Sequence, residues 1–322
     1  MLSRVAESIY WMNRYIERAE NVARVVDVNV LLQLDLPDPE EQWDAIVNVT
    51  GGHADFLERY DAPTRANVVE FLAFDALNPN SILSSVTKAR ENARSVREMI
   101  SSEMWEEVNA FYLAVSGPGA RDRALYQTHE FFQEVRRASH LVEGTKNETM
   151  PHSEAWHFSR LGRFIERADQ TSRILDVKYF LLLPSTADVG KPVDDLQWSA
   201  LLRSASGFEA YRKAFGRVSA PSVAAFLLMD REFPRSVYHC LSEAQESLGA
   251  VSAPSPRGVA NPAERALGLL VAELHYADAT EVIASGLHEF VDGLQVKLNI
   301  VGDEIGRAFF AAPPLPSHAR IP

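Results

Sequence analysis

At 322 residues with 46% apolar side chains, the chain is long enough to build a substantial core, as two compact halves or as one large bundle. Its 32 basic against 44 acidic side chains leave a formal charge of −12, which argues against a general nucleic-acid binder and disfavours an anionic membrane surface. The single cysteine, Cys240, rules out an intramolecular disulfide and a cysteine-based metal cluster, and no stretch approaches the ~18 apolar residues of a membrane span.

The first predicted element is a helix over 3–34, ended by Pro37, Asp38 and Pro39. Turned at roughly 100° per residue, it places Tyr15, Ile16, Ala19, Ala23, Val26 and Val30 on one side and Glu17, Glu20, Arg24 and Asp27 on the other. Arg14 and Arg18 flank the acidic strip. No basic region followed by an apolar run precedes this helix, so no cleaved secretion signal is expected, and with one thiol a cytoplasmic setting follows. A helix around Trp43 comes next, then Gly51, Gly52 and the 61–63 turn. The apolar run 68–75 leads into Asn78, Pro79 and Asn80, where Asn80 or Ser81 is available to cap a helix over 82–100. Arg90, Arg94 and Arg97 share one face of that helix. Further helices are expected over 102–115 and 120–144, and the loop 145–151 separates the halves.

The second half opens on a helix over 153–183, stopped by 184–192. It repeats the first. Residues 14–28 return 149 positions later as 163–177, with Arg163, Glu166, Arg167, Asp169, Arg173 and Asp176 standing where Arg14, Glu17, Arg18, Glu20, Arg24 and Asp27 stood. Phe164, Ile165, Ala168, Ser172, Leu175 and Tyr179 form its other side. Gln197 and Trp198 match Gln42 and Trp43 at an offset of 155, and Phe226, Leu227, Asp230, Pro234 and Ser236 match Phe71, Leu72, Asp75, Pro79 and Ser81 at the same offset. His288, Glu289 and Phe290 echo His129, Glu130 and Phe131 at 159. Because the matches are collinear and no strand-period segment competes, the expected fold is all-α. It is a multi-helix bundle of two duplicated helical repeats with pseudo-two-fold symmetry, 1–151 and 152–310, packed as one compact unit. Residues 251–262 read as a loop, and 311–322 as a disordered Pro-rich tail.

The opening run from Met1 to Asn21, with Glu17 and Arg18 at its heart, resembles the start of the alpha-E family, bacterial all-helical proteins named for a Glu-Arg motif. Residues 89–94 resemble a second segment of that family, and the likeness extends to about Phe310. Members typically occur beside circularly permuted ATP-grasp ligases, transglutaminase-like peptidases and proteasome-related peptidases. The resemblance therefore implies a part in making, modifying or removing a peptide or amide-linked product.

The repeated charges admit two readings. Pairs such as Arg14 with Glu17, or Glu20 with Arg24, sit three or four residues apart and would form a weak solvated ladder of about 0.2–0.5 kcal/mol each. Alternatively Glu17 and Arg18, Glu166 and Arg167, with Arg14, Arg24, Arg163 and Arg173, meet other parts of the fold or a ligand through the guanidinium fork. Asp75 and Asp230 either cap the following helices or accept an Arg from a motif helix. The Arg90, Arg94 and Arg97 stripe is replaced in the second copy by Gln245, Gly249 and Ser252. It is either paired with Glu91 and Glu98 in solvent or a basic face for a carboxylate, a phosphate or an acidic peptide. Arginines crowd the carboxylates and no Glu-x-x-His pair accompanies them, so no metal is expected; His152 and His157 read as loop and surface residues. Cys240 reads as a buried structural thiol. No nucleophile elbow, Walker loop or dinucleotide fingerprint is present, and no cofactor is expected.

The function expected is a non-ATPase partner, scaffold or substrate-binding component of a peptide- or amide-forming system that works with an ATP-grasp-type ligase. The alternatives are a catalyst with Glu17 or Glu166 as acid/base and an Arg as carboxylate clamp, and a purely structural helical module.

Overall fold

The computed structural model describes residues 1–32, 42–181, 192–252 and 261–311, and every regular element among them is helical. The breaks expected at 37–39 and 184–192, most of the 251–262 loop, the tail beyond 311 and the side chain of Tyr179 lie wholly or largely outside the described residues.

Two long helices form the axis, α1 (Ser3–Leu32) and α9 (Glu154–Leu181), packed along each other. Between them come α2 (Gln42–Val49), α3 (His53–Arg59), α4 (Arg65–Ala73), α5 (Ile82–Ser95), α6 (Ser102–Ser116), α7 (Ala120–Tyr126) and α8 (Thr128–Thr149). After α9 follow α10 (Pro192–Ser204), α11 (Phe208–Phe215), α12 (Ala220–Met229), α13 (Val237–Val251), α14 (Pro262–Tyr276), α15 (Ala279–Ser285) and α16 (Leu287–Ile305). A short π-helical turn, Gly306–Phe310, continues α16.

α1, α5, α6 and α8 make one four-helix group, and α9, α13, α14 and α16 make another. The α1–α9 contact joins them. The short helices reach across the joint, because α2 lies on α9 and α10 on α1. A single apolar core runs through both groups, with Tyr10, Met12, Phe71, Phe131, Phe132 and Tyr211 among its fully buried side chains. Each such side chain stabilises the fold by roughly 1.5–3 kcal/mol through area withdrawn from water.

Short polar residues start these helices by satisfying otherwise orphaned backbone N–H groups. Thr64, Ser81, Ser101, Ser219 and Ser236 each accept from the backbone N–H three residues on. Asn261 does so from Glu264, whose side chain returns the bond in a capping box.

The structure corrects several boundaries. The helix expected over 120–144 is broken at Gln127, which has extended-side dihedrals although neither Gly nor Pro marks it, and α8 then runs to Thr149. Its last turn carries the buried Lys146, and the loop expected over 145–151 shrinks to a few residues. The helix over 82–100 stops at Ser95, and Arg97 lies on a separate 3-10 turn. Asp75 and Asp230 neither cap the next helix, which Ser81 and Ser236 do, nor take an Arg from a motif helix. Asp75 accepts from Arg59, Tyr60 Oη and the Leu77 N–H, and Asp230 Oδ1 ties its own turn through the Glu232 and Phe233 N–H groups.

Candidate functional site

The polar strip of α1 is as deeply buried as its apolar side, whereas on α9 only Glu166 of the strip is buried and Asp169, Arg173 and Asp176 are half-buried. Glu17, Glu20, Arg24 and Asp27 are each at most 3% exposed, and Glu166 is fully closed off. A solvated ladder is therefore excluded for them. Arg14 does not pair with Glu17 on its own helix; Arg14 and Arg18 cross to α9 and Arg163 and Arg167 cross to α1, whereas Arg24 and Arg173 pair with Glu20 and Asp169 four residues back on their own helices.

Glu166 receives Arg18 through Nε at 2.7 Å and Nη2 at 2.9 Å, and Arg14 through Nε at 2.8 Å. Gln170 adds a fourth donor at 3.2 Å. Glu17 receives Arg167 through Nε at 2.7 Å and Nη2 at 2.8 Å, Arg163 through Nε at 3.4 Å and Arg235 at 3.1 Å. Such two-point contacts fix the geometry as well as the charge. Burial alone would push both carboxyls up. The Arg18 and Arg14 charges outweigh it at Glu166, and Arg167 with Arg235 outweigh it at Glu17 despite the nearby Glu20, so both are held at about 2.

The network extends along α1. Glu20 takes Arg235 at 2.6 Å, Arg24 Nε at 2.9 Å, His140 at 2.8 Å and Ser139 at 3.2 Å. Arg24 reaches on to the Ser206 hydroxyl of the second half. Asp27 holds His129 and Arg136, and Asp176 on α9 holds His288 at 2.7 Å. Arg163 also meets Glu143, which Lys146 Nζ approaches at 2.7 Å. Sequence reasoning missed Arg235, His140 and Ser206, whose partners on α1 stand over a hundred residues away, and Glu143 and Lys146, whose placement against Arg163 of the next long helix nothing local announces.

Two cavities flank Asp169 on the Glu166 side. One, of ≈200 Å³, is lined by Arg18, Arg173, Asn80, Gln170, Thr50, Gly51, Val22 and Asp169. Arg18 already gives Nη1 to Asn80 at 3.1 Å, while Arg173 uses Nε on Asp169 Oδ2 at 2.8 Å and has no other hydrogen bond among the described residues. The other, of ≈330 Å³, lies between α1, α9 and α16. Glu17 and Glu166 line neither.

This arrangement fits anchoring and binding better than proton transfer. Carboxylates that stay ionised down to about pH 2, with their oxygens occupied by guanidinium groups, have no proton to give at neutral pH and little capacity to take one. Arg173, by contrast, keeps N–H groups beside open space. The Arg90, Arg94 and Arg97 stripe stands elsewhere, on α5 and the turn after it. Arg90 bonds Asn109 at 2.7 Å and lies over Tyr112, Arg94 is paired with Glu91, and Arg97 covers Trp105. Cys240 is buried, and burial pushes its thiol up to about 12. Among the described residues no group of three or more His, Cys, Asp or Glu is placed to hold a metal ion, and no helix is long and apolar enough to cross a membrane.

Residues 1–310 match the model of the Alpha-E family, described as a predicted alpha-helical domain with a conserved ER motif. Two curated relatives, uncharacterized proteins of Mycobacterium bovis and of Mycobacterium tuberculosis, are each 24% identical over 340 residues. The alignment takes in 96% of this chain and 37% of theirs, so the chain spans well under half their length. No solved structure matches the chain.

Proposed function

The chain belongs to the Alpha-E family, and we propose that it is the non-ATPase, substrate-binding component of a system that forms or modifies peptide or amide bonds. Its task in this reading is to hold a peptide carboxylate for an ATP-grasp-type ligase, with transglutaminase-like or proteasome-related peptidases as further partners of the system. The fold underneath is a doubled ancestral half, 1–151 and 152–310, related by a pseudo-two-fold axis between α1 and α9. Reciprocal pairing supports that duplication: Arg14 and Arg18 hold Glu166 as Arg163 and Arg167 hold Glu17, and His129 meets Asp27 as His288 meets Asp176.

One observation carries the binding reading, a contrast between the two motif neighbourhoods. Around Glu17 and Glu20 the space is filled by Arg235, His140, Glu143 and Ser206. At the offsets of 155 and 159 found in the sequence, the positions facing Glu166 and Asp169 carry Asn80, Asn299, Gly302 and Gly51. Every one is shorter. The shortened side leaves the two cavities, and Arg18 and Arg173 stand at the smaller one as a ready carboxylate clamp. The duplication thus keeps one closed network for rigidity and opens the other. A substrate-binding component needs that preorganisation.

The test compares, by mass spectrometry, the peptide products of cells that lack the chain, carry it, or carry Arg173→Gln. The variant should melt like the parent yet give the product profile of the deletion. An unchanged profile in the deletion strain would remove the reading. Association is tested separately, by purifying the chain with the ligase produced beside it; a lone monomer at physiological concentration counts against partnership.

A further inference from the structure

The larger cavity has its own chemistry. Tyr10, Trp11, Ile165, Leu298 and Phe310 give it an apolar wall, Arg14 and Asp169 supply charge, and Asn299 and Asp303 stand exposed at the rim. Arg14 spends Nε on Glu166 and one Nη1 bond, 3.3 Å, on the Tyr10 hydroxyl. A guanidinium has five N–H groups, so donors are left over on the cavity side. Asp169 accepts from Arg173 through Oδ2, but its Oδ1 is buried without a hydrogen-bond partner among the described residues. A buried carboxylate oxygen left in that condition bears its desolvation penalty uncompensated, which a bound donor would offset.

The same space beside Arg163 is occupied by the chain itself. Glu143 puts a carboxylate on Arg163, and Lys146 puts an ammonium on Glu143. In the duplicated register, on which this inference rests, Gly302 replaces Glu143 and Ile305 replaces Lys146. A Cβ at Gly302 would come 3.9 Å from Arg14 Nη1, so the glycine uncovers that guanidinium. We propose that the cavity binds an amino acid as a zwitterion, with its carboxylate on Arg14, its ammonium on Asp169 and an apolar side chain against Trp11 and Phe310. A simple anion would meet Asp169 and Asp303, and a simple amine would meet Arg14. Only a ligand with both charges satisfies both partners. At ≈330 Å³ the cavity is at the small end for ligand sites, which suits one amino-acid unit.

Isothermal titration with L-leucine, N-acetyl-L-leucine and L-leucinamide tests this on the full chain. L-Leucine should bind saturably, and each blocked form at least about tenfold more weakly. Gly302→Glu, which restores a carboxylate to Arg14, should abolish L-leucine binding and raise the melting temperature. Asp169→Asn keeps the shape, should fold, and should weaken L-leucine at least about tenfold while favouring N-acetyl-L-leucine over L-leucinamide, since the carboxylate still meets Arg14 and the ammonium has lost its partner. Absence of L-leucine binding, equal binding of the acetylated form, or undiminished binding by Gly302→Glu would each overturn the site. A higher melting temperature without any amino-acid binding would leave the duplicated register standing and sink this inference alone. Neither result bears on the Arg173 product test.

Discussion

Gly162 on α9 rides directly on the backbone of α1 at Tyr10: a Cβ at Gly162 would stand 2.3 Å from the Tyr10 carbonyl oxygen and 3.0 Å from its carbonyl carbon. This approach brings the axes close enough for Arg14 to meet Glu166 and for Arg167 to meet Glu17. Neither the carbonyl nor the helix carrying it can step aside locally. Gly162→Ala should therefore destabilise the fold by about 3 kcal/mol, the cost of overpacking with backbone displacement, read as a lowered urea midpoint. Gly249 on α13 has nothing within 4 Å of its Cβ position. Gly249→Ala should instead stabilise by about 0.4–1 kcal/mol, because the unfolded chain loses freedom.

Removing either carboxylate strands a buried cation. Glu166→Gln leaves Arg14 and Arg18 largely buried without their counter-charge, and Glu17→Gln leaves Arg167 so, while Arg235 keeps Glu20. Each substitution should cost about 3–5 kcal/mol by equilibrium unfolding, the range for breaking one side of a buried pair. An acid/base role would predict lost turnover with unchanged stability, so unfolding curves separate the two roles.

Much of this was legible in the chain. The copied charges located both motif helices, and Ser81 was one of the two candidates for the cap it supplies to α5. What could not be read was which partner each charge would meet. Burial decides between a solvated ladder and a network around Glu17 and Glu166, and that burial depends on α9 covering α1, a contact between residues about 150 apart. The split at Gln127 was equally silent, since glutamine has an ordinary helical preference and neither Gly nor Pro marks the break. The sequence did hold the clue to the cavities. Aligning the halves sets Gly51 against Ser206 and Gly302 against Glu143, whereas the guanidinium groups of the more conspicuous Arg90 and Arg94 already have partners.

Cys240 should be inert in the native state. Its thiol is fully buried, lies 3.6 Å from the Pro234 carbonyl oxygen, and is pushed up to about 12 by burial, so almost no thiolate exists at neutral pH. A thiol reagent such as 5,5′-dithiobis(2-nitrobenzoate) should label it only in denaturant. Stoichiometric labelling of the folded protein within minutes would contradict the buried placement.

Acid should unfold the protein through the two glutamates. Both are held at about 2 in the folded chain against an ordinary carboxyl near 4.5. A depressed folded value means the stabilisation is complete above the unfolded value and is lost as pH falls toward the folded one. Stability measured by urea midpoint should therefore decline between about pH 5 and pH 2, by on the order of 3 kcal/mol for each carboxyl. In Glu166→Gln that decline should be smaller by roughly one carboxyl's share.

Lys146 should act in the opposite pH range. Its ammonium is 1% exposed, and burial, helped by the Arg163 charge, lowers it from 10.5 to about 8 in spite of Glu143. Between these values the unfolded chain binds a proton that the folded chain does not, so stability gains with rising pH across about 8 to 10.5. Lys146→Met removes the titrating group and fits an unbranched apolar chain to the same space. At pH 7 it should be more stable than the parent, with Arg163 still neutralising Glu143. The difference between the two urea midpoints should shrink as pH rises through that window and vanish near pH 10.5. A constant difference from pH 7 to 10.5 would mean that Lys146 carries its charge in the fold without penalty, and would count against its burial beside Arg163.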